Sequence, residues 1–283
     1  MTLRQIWNHV DWFTACVLIV CALSPISVFS QNPVCDFSYK KTITLQGSQV
    51  VGGPHTDFPV LISHTDPDLA SGAGKVTSAS GFDIIFADDT GNALDFQLEK
   101  YDGSTGQYVA WVRIPSITNG TDVDIHMLYG KSTITTDQST TDVWGSNYHA
   151  VWHLNVDFLD QTSTSYDGTN NGSTDVAAKI ADGQNFVDPN HWIETPTFPN
   201  LSADFTISGW VFTTDNTRAG QRVFADDATN TGGYALSVGD PGTGRIRFYA
   251  RGTGPVSLDS PGGVISNSTW HYCVCLLYTS PSP

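Results

Sequence analysis

The acidic side chains are the first place to look for chemistry, and their composition is lopsided. The 283 residues carry 28 Asp plus Glu against 13 Lys plus Arg, and only Glu99 and Glu194 are glutamate. Aspartate favours turns and metal loops, whereas glutamate favours helices and the carboxylate pairs of glycosidases. Glycoside hydrolysis needs two carboxyl groups about 5 to 10 Å apart across the scissile bond. Glu99 in FQLEKYD and Glu194 in HWIETP are lone carboxylates in separate regions, so no catalytic residue is assigned. No G-x-S-x-G elbow is present for nucleophilic catalysis. His149 and His153 have the four-residue spacing of a helical metal pair, but HAVWHL reads as a strand and lacks the glutamate of a zinc protease. Both histidines are therefore expected in the core or on the surface. Asp88-Asp89-Thr90-Gly91-Asn92 is oxygen-rich in the manner of a calcium loop, and a plain hairpin turn explains it equally well.

Sugar recognition needs aromatic faces for stacking and Asp or Asn side chains for hydroxyls. Trp192, Trp210, Tyr234, Phe248 and Tyr249 are available. Most are expected inward, because a β-sandwich needs large core residues. Trp192 beside His191 is the best exposed candidate, and the ligand-binding set is read as His191, Trp192 and Tyr234. The net charge of −15 excludes a nucleic-acid partner, since phosphate backbones are held by Lys and Arg clusters that this chain lacks.

The elements that must position these residues are strands. DFTISGWV, RVFADD, GGYALSV, RIRFYARG and STWHY follow one another between residues 204 and 272, separated by Gly, Asp, Asn and Thr. Within the first, Phe205, Ile207, Gly209 and Val211 alternate with Thr206, Ser208 and Trp210, the period of a strand with two unlike faces. Further upstream Ile43 and Leu45 alternate with Thr42 and Thr44, and Val109, Trp111 and Arg113 with Ala110, Val112 and Ile114. The expectation is all-β, with an N-terminal sandwich of about seven or eight strands.

The order and wording of the runs from Asp204 to Tyr272 resemble the LamG-type jelly roll of the concanavalin A-like lectin superfamily. From Phe37 to Gly130, the runs FSYKKTITL, TDFPVLISHTDPDL, FDIIFADDTGNALDFQLEKYD, YVAWVRIPSI and TDVDIHMLYGK resemble the small β domain of unassigned function that often precedes such jelly rolls in bacterial secreted and surface proteins. The resemblance implies an N-terminal β-sandwich over 31–130 and a jelly roll over 144–283, while residues 1–30 read as a signal peptide and the Ser/Thr-rich composition of 131–143 reads as a linker. In pentraxin-like and laminin-type relatives calcium sits in loops at one edge of the sandwich, and by that likeness Asp226, Asp227 and Asn230 are nominated as its ligands.

Arg4, an apolar stretch from Trp12 to Leu23, Pro25 and a small-residue site at Ser30 read as a cleaved leader, with an uncleaved N-terminal anchor as the alternative. That leaves Cys35, Cys273 and Cys275, an odd set in which a pair such as Cys35 with Cys273 is open in an oxidising compartment but which makes no disulfide framework. After Tyr272 the run CVCLLYTSPSP reads as lacking both alternation and a turn pattern, as in a jelly roll that is incomplete or carries a non-native tail, with a short domain closed by the tail itself as the alternative. The function expected is a secreted or cell-surface protein that binds extracellular carbohydrate or matrix protein without chemistry of its own. The alternatives are a non-catalytic fragment of a polysaccharide-active enzyme and a structural spacer in a surface protein.

Overall fold

Strict two-residue periodicity builds the architecture, which is all-β in a computed structural model that describes residues 36–73, 75–187, 189–196, 204–226, 233–251 and 256–278. The leader expected over 1–30, together with Cys35, Asp227 and Asn230, lies outside the described residues. The chain divides after Glu194 into two compact units.

In the first unit, seven strands make two antiparallel sheets. One has the order β1 (Tyr39–Leu45), β7 (Val123–Tyr129), β3 (Ile85–Asp88) and β4 (Ala93–Leu94); the other is β2 (His55–Thr65), β6 (Gln107–Ile117) and β5 (Phe96–Asp102). Their inner faces close on one core. Ile43 and Leu45 from the first sheet meet Ile62, Ala110, Val112 and Ile114 from the second. Ile43 and Leu45, and of the two β6 triplets Ala110, Val112 and Ile114, face inward, because a period of two places every second side chain on one face.

The segment expected to be a linker behaves differently. Val143, in the 3-10 turn Thr141–Val143, is fully buried. The Thr140 N–H donates to the Phe96 carbonyl at 2.9 Å, and the Leu98 N–H donates to Ser139 Oγ at 2.9 Å. Residues 139–182 lie as a strap along β5 and over the outer side of the β2–β6–β5 sheet. Small paired strands follow: β8 (Thr169–Asn171) with β11 (Trp192–Glu194), and β9 (Thr174–Ala177) with β10 (Asp182–Asn185). All of this belongs to the first unit, so the structural boundary falls about fifty residues later than the Ser/Thr-rich stretch suggested. The reason is local: the outward residues Gln97, Glu99 and Trp111 are polar-tipped or aromatic and demand partners, which the strap supplies.

In the second unit, a ribbon of β12 (Phe205–Phe212) and β17 (Trp270–Leu277) packs against the sheet β13 (Gln221–Asp226), β14 (Gly233–Val238), β15 (Ile246–Arg251) and β16 (Val256–Asp259). Tyr234, Leu236, Phe248, Ile265, Cys273 and Cys275 form the core between them. The expected loss of alternation after Tyr272 is corrected here. Residues 270–277 pair with β12 throughout, from Phe212 opposite Trp270 to Phe205 opposite Leu277. Cys273 and Cys275 take the inward positions, acting as small apolar residues, while Tyr272, Val274 and Leu276 point outward.

Candidate functional site

The β12–β17 ribbon has two faces of opposite use. Phe205, Ile207 and Val211 turn toward the core, which leaves Thr206, Ser208, Trp210 and Phe212 on the other side. The register brings Trp270 and Tyr272 onto that same outer side. Two cross-strand aromatic pairs result. Trp210 and Tyr272 have ring centroids 5.2 Å apart, and Phe212 and Trp270 are 5.3 Å apart. Successive pairs are offset by two residues along the strand, about 7 Å. Trp210 is 39% exposed, Phe212 45% and Tyr272 50%. The Tyr272 hydroxyl donates to Ser208 Oγ at 3.0 Å, so one polar tip is fixed at the margin of the rings. None of these outward side chains is charged. Cross-strand aromatic pairs of this kind stabilise a ribbon, and exposed aromatic faces flanked by hydroxyls are also what a sugar ring stacks on.

The residues expected to bind ligand are carried by other elements than this ribbon. Trp192 opens β11 opposite Asn171 and is 49% exposed, as the sequence suggested. His191 beside it is half-buried: its ring lies against Gly172, where a Cβ would stand 2.6 Å from Cδ2, and its Nδ1 is buried without a hydrogen-bond partner. Both belong to the first unit. Tyr234 belongs to the second and is corrected from ligand to core: it is 3% exposed, stacks on Phe224 with ring centroids 5.7 Å apart and packs on Phe205 at 4.7 Å. The inward phase of β14 decides this, and burial, with the nearby Asp226 charge, raises its phenol above the ordinary range.

Of the residues nominated for calcium, Asp226 ends β13 opposite Tyr234. No group of three or more His, Cys, Asp or Glu side chains able to hold a metal occurs among the described residues. The Asp88 loop is a hairpin turn. Asp88 Oδ1 accepts from the N–H groups of Thr90 and Asn92, and Oδ2 accepts from Asn92 Nδ2. Burial pushes its carboxyl up, but these hydrogen bonds outweigh it and the group lies below the usual range. A cavity of ≈ 320 Å³ is lined by Asp88, Asp89, Asp122 and Asp124. Asp122 accepts from the Gly47 N–H and Asp124 from Thr44 Oγ1, so these carboxylates also serve the backbone and strand pairing.

The two glutamates do not form a hydrolytic pair. Glu99 is buried beneath the strap with Trp111 Nε1 donating to it at 2.7 Å, while Glu194 is exposed at the end of β11. His149 and His153 separate as well: His149 is exposed, and His153 is buried beside Glu99.

Sequence reasoning undervalued the ribbon. Alternation within DFTISGWV already set Trp210 opposite the core phase, but the partners Trp270 and Tyr272 are fixed only by the pairing of two strands more than fifty residues apart.

Comparison with known families gives two matches in tandem. Residues 80–176 match the family described as a domain of unknown function (DUF2341), and residues 182–280 match the concanavalin A-like lectin/glucanases superfamily. Searches of the curated proteins and of the solved structures return no match.

Proposed function

We propose that this chain, in which a match to the concanavalin A-like lectin/glucanases superfamily follows one to a domain of unknown function, is an exported binding protein for extracellular carbohydrate. It acts without chemistry of its own, and its contact surface is the outer aromatic face of the β12–β17 ribbon. The observation that carries this reading is the two tilted cross-strand ring couples, Trp210 with Tyr272 and Phe212 with Trp270, presented on one uncharged face of a protein whose net charge is −15. Apolar CH faces of a pyranose ring stack on such side chains, and the Ser208 and Tyr272 hydroxyls are placed to take sugar hydroxyls. A chain of sugars laid along the ribbon would meet a second ring couple after about 7 Å. An uncharged face in a strongly acidic protein favours neutral glycans over uronate or sulfated ones, which the rest of the surface repels.

The test is glycan-array screening of the whole chain, followed by titration calorimetry on the best hit with and without a calcium chelator. Binding to neutral glycans that survives the chelator and is lost in Trp210→Ala with Tyr272→Ala is expected. Chelator-sensitive binding unaffected by those substitutions would move the site to the Asp226 edge. No binding to any glycan by folded protein would sink the proposal.

A further inference from the structure

The most unusual chemistry in the molecule is buried in the first unit, beneath the strap. Gln97 and Glu99 project from β5 and Trp111 from β6, away from the apolar core, and residues 139–182 cover them. Gln97 Oε1 accepts from Trp144 Nε1 at 2.8 Å and contacts His153 Nε2 at 3.0 Å. Gln97 Nε2 donates to Gln161 Oε1 at 2.7 Å. This fixes the histidine. An amide oxygen only accepts, so Nε2 carries a proton and Nδ1 is the atom free to gain or lose one. Nδ1 lies 3.5 Å from Glu99 Oε2, with the two side chains only 6% and 3% exposed. The His153 ring is also parallel to Trp111, 5° between planes.

Between Glu99 and Nδ1 there is a place for one proton. With none, a carboxylate and a lone pair face each other in a dry site, and with two, an imidazolium faces a carboxylic acid. With one, the pair is either neutral acid with neutral imidazole or carboxylate with imidazolium, and both arrangements set a donor opposite an acceptor across the 3.5 Å contact. We propose that Glu99 and His153 form a one-proton clasp that fastens residues 139–182 over β5 and β6 and holds that fastening at nearly constant strength from mildly acid to neutral pH.

The constancy follows from opposed titrations. Burial raises the Glu99 carboxyl from 4.5 to about 7 against the Trp111 hydrogen bond, with the Asp182 charge adding to the rise. Its contribution to strap closure is therefore complete below 4.5 and is lost as pH rises through about 7. Burial alone lowers His153 from 6.5 to about 4, so its contribution is complete above 6.5 and is lost as pH falls through about 4. Between 4.5 and 6.5 each group loses what the other gains. What is left uncompensated at either end is within about a pH unit, at most about a tenfold change in the opening constant.

The surrounding charges are accounted for. Asp182 of β10 is tied to Lys100 of β5 at 2.7 Å. On β6, Arg113 is paired with Asp95 and Asp57, and Asp142 of the 3-10 turn adds to the charge around that guanidinium.

Hydrogen exchange of the Leu98 and Thr140 amides in the whole chain reads strap opening directly, because both bonds cross between β5 and the strap. After correction for intrinsic rates, protection in the unaltered protein is expected to vary by less than about tenfold between pH 4.5 and 7. Glu99→Gln leaves the histidine uncompensated, and protection falls by two to three orders of magnitude as pH drops from 6.5 to about 4. His153→Gln gives the mirror image, a comparable loss as pH rises from 4.5 to about 7. The double variant is flat again. Flat single variants, or a more than tenfold variation in the unaltered protein, overturn the proposal. Should either single variant lose protection at every pH, Asp182→Asn replaces it. Removing that charge moves the alkaline edge of the window downward, and an unmoved edge overturns the clasp.

Discussion

Trp210 and Tyr272 face each other across two strands, with ring centroids 5.2 Å apart, and the tyrosine hydroxyl reaches back along the ribbon to Ser208. Because both rings lie on the side away from the core, their removal separates recognition from stability. Trp210→Ala is expected to weaken glycan binding by about tenfold, as for an aromatic anchor worth more than 1 kcal/mol. Its effect on stability is expected to stay near the scale of a surface change, about 0.5 kcal/mol, plus the lost cross-strand pair. Calorimetry and a urea titration on the same sample decide this, and a large stability loss with unchanged affinity would make Trp210 a packing residue.

On the opposite side of the same strand, Cys273 predicts the reverse pattern. Burial holds its thiol up at about 11, and no disulfide engages it. The native protein should resist alkylation at about pH 8 and label rapidly once unfolded, since the thiolate is the reactive form. Cys273→Ser places a hydroxyl in an apolar core and is expected to cost about 1–3 kcal/mol, while glycan binding at the outer face is unchanged. Rapid labelling of the native protein would show that the inner face of β17 opens readily.

These two side chains also mark how far the sequence could be read. Alternation in DFTISGWV and in the β6 run gave the faces of single strands correctly, because burial phase is a local property of a pleated strand. The inward phase of Cys273 and Cys275 was missed because cysteine breaks the visual pattern of Ile, Val and Leu although it packs like a small apolar residue. Two other features depend on contacts distant in sequence. Tyr272 joins Trp210 only through the β12–β17 register, and residues 139–182 become a strap only because Gln97 and Glu99 turn their polar ends outward and need partners. The Ser/Thr-rich composition that suggested a linker instead supplies Ser139 Oγ and Thr140 N–H to β5.

Asp160 organises the polar loop that follows His153, and it carries a pH prediction of definite sign. Its Oδ1 accepts from the N–H groups of Val151 and Thr162, both at 3.0 Å, and Oδ2 accepts from the Tyr166 N–H at 2.9 Å. Burial pushes the carboxyl up, but the backbone N–H groups and the Thr164 hydroxyl outweigh it and hold it below 3.8. A depressed carboxyl stabilises the loop fully above its unfolded value of 3.8 and loses that contribution as pH falls through the lower folded value. Exchange of the Val151, Thr162 and Tyr166 amides should therefore accelerate together in that acid range. Asp160→Ala should produce the same acceleration at neutral pH, each unpaired N–H costing about 1–3 kcal/mol. Amides that respond separately would mean that the carboxylate does not join them.

Gly106 and Gly120 share a left-handed backbone, with φ +73° and +77°, and differ only in what surrounds them. Placing any L-residue in that region costs roughly 1–2 kcal/mol. At Gly120 a Cβ would meet nothing within 4 Å, so Gly120→Ala should cost about that much and no more. At Gly106 the new carbon would overlap the Asp66 carbonyl oxygen and stand 2.9 Å from the Ala70 nitrogen. The Gly106 carbonyl also accepts from the Asp66 N–H at 3.1 Å, which pins the β5–β6 turn to the turn after β2. Relief would require breaking that bond and displacing Asp66, whose side chain holds Lys41 Nζ at 2.6 Å beneath the sandwich edge. Gly106→Ala is accordingly expected to cost well over the conformational term alone, by urea titration of the two variants side by side. Equal losses would show that the Asp66 turn yields freely and that the close approach at Gly106 contributes nothing to closing the first sandwich.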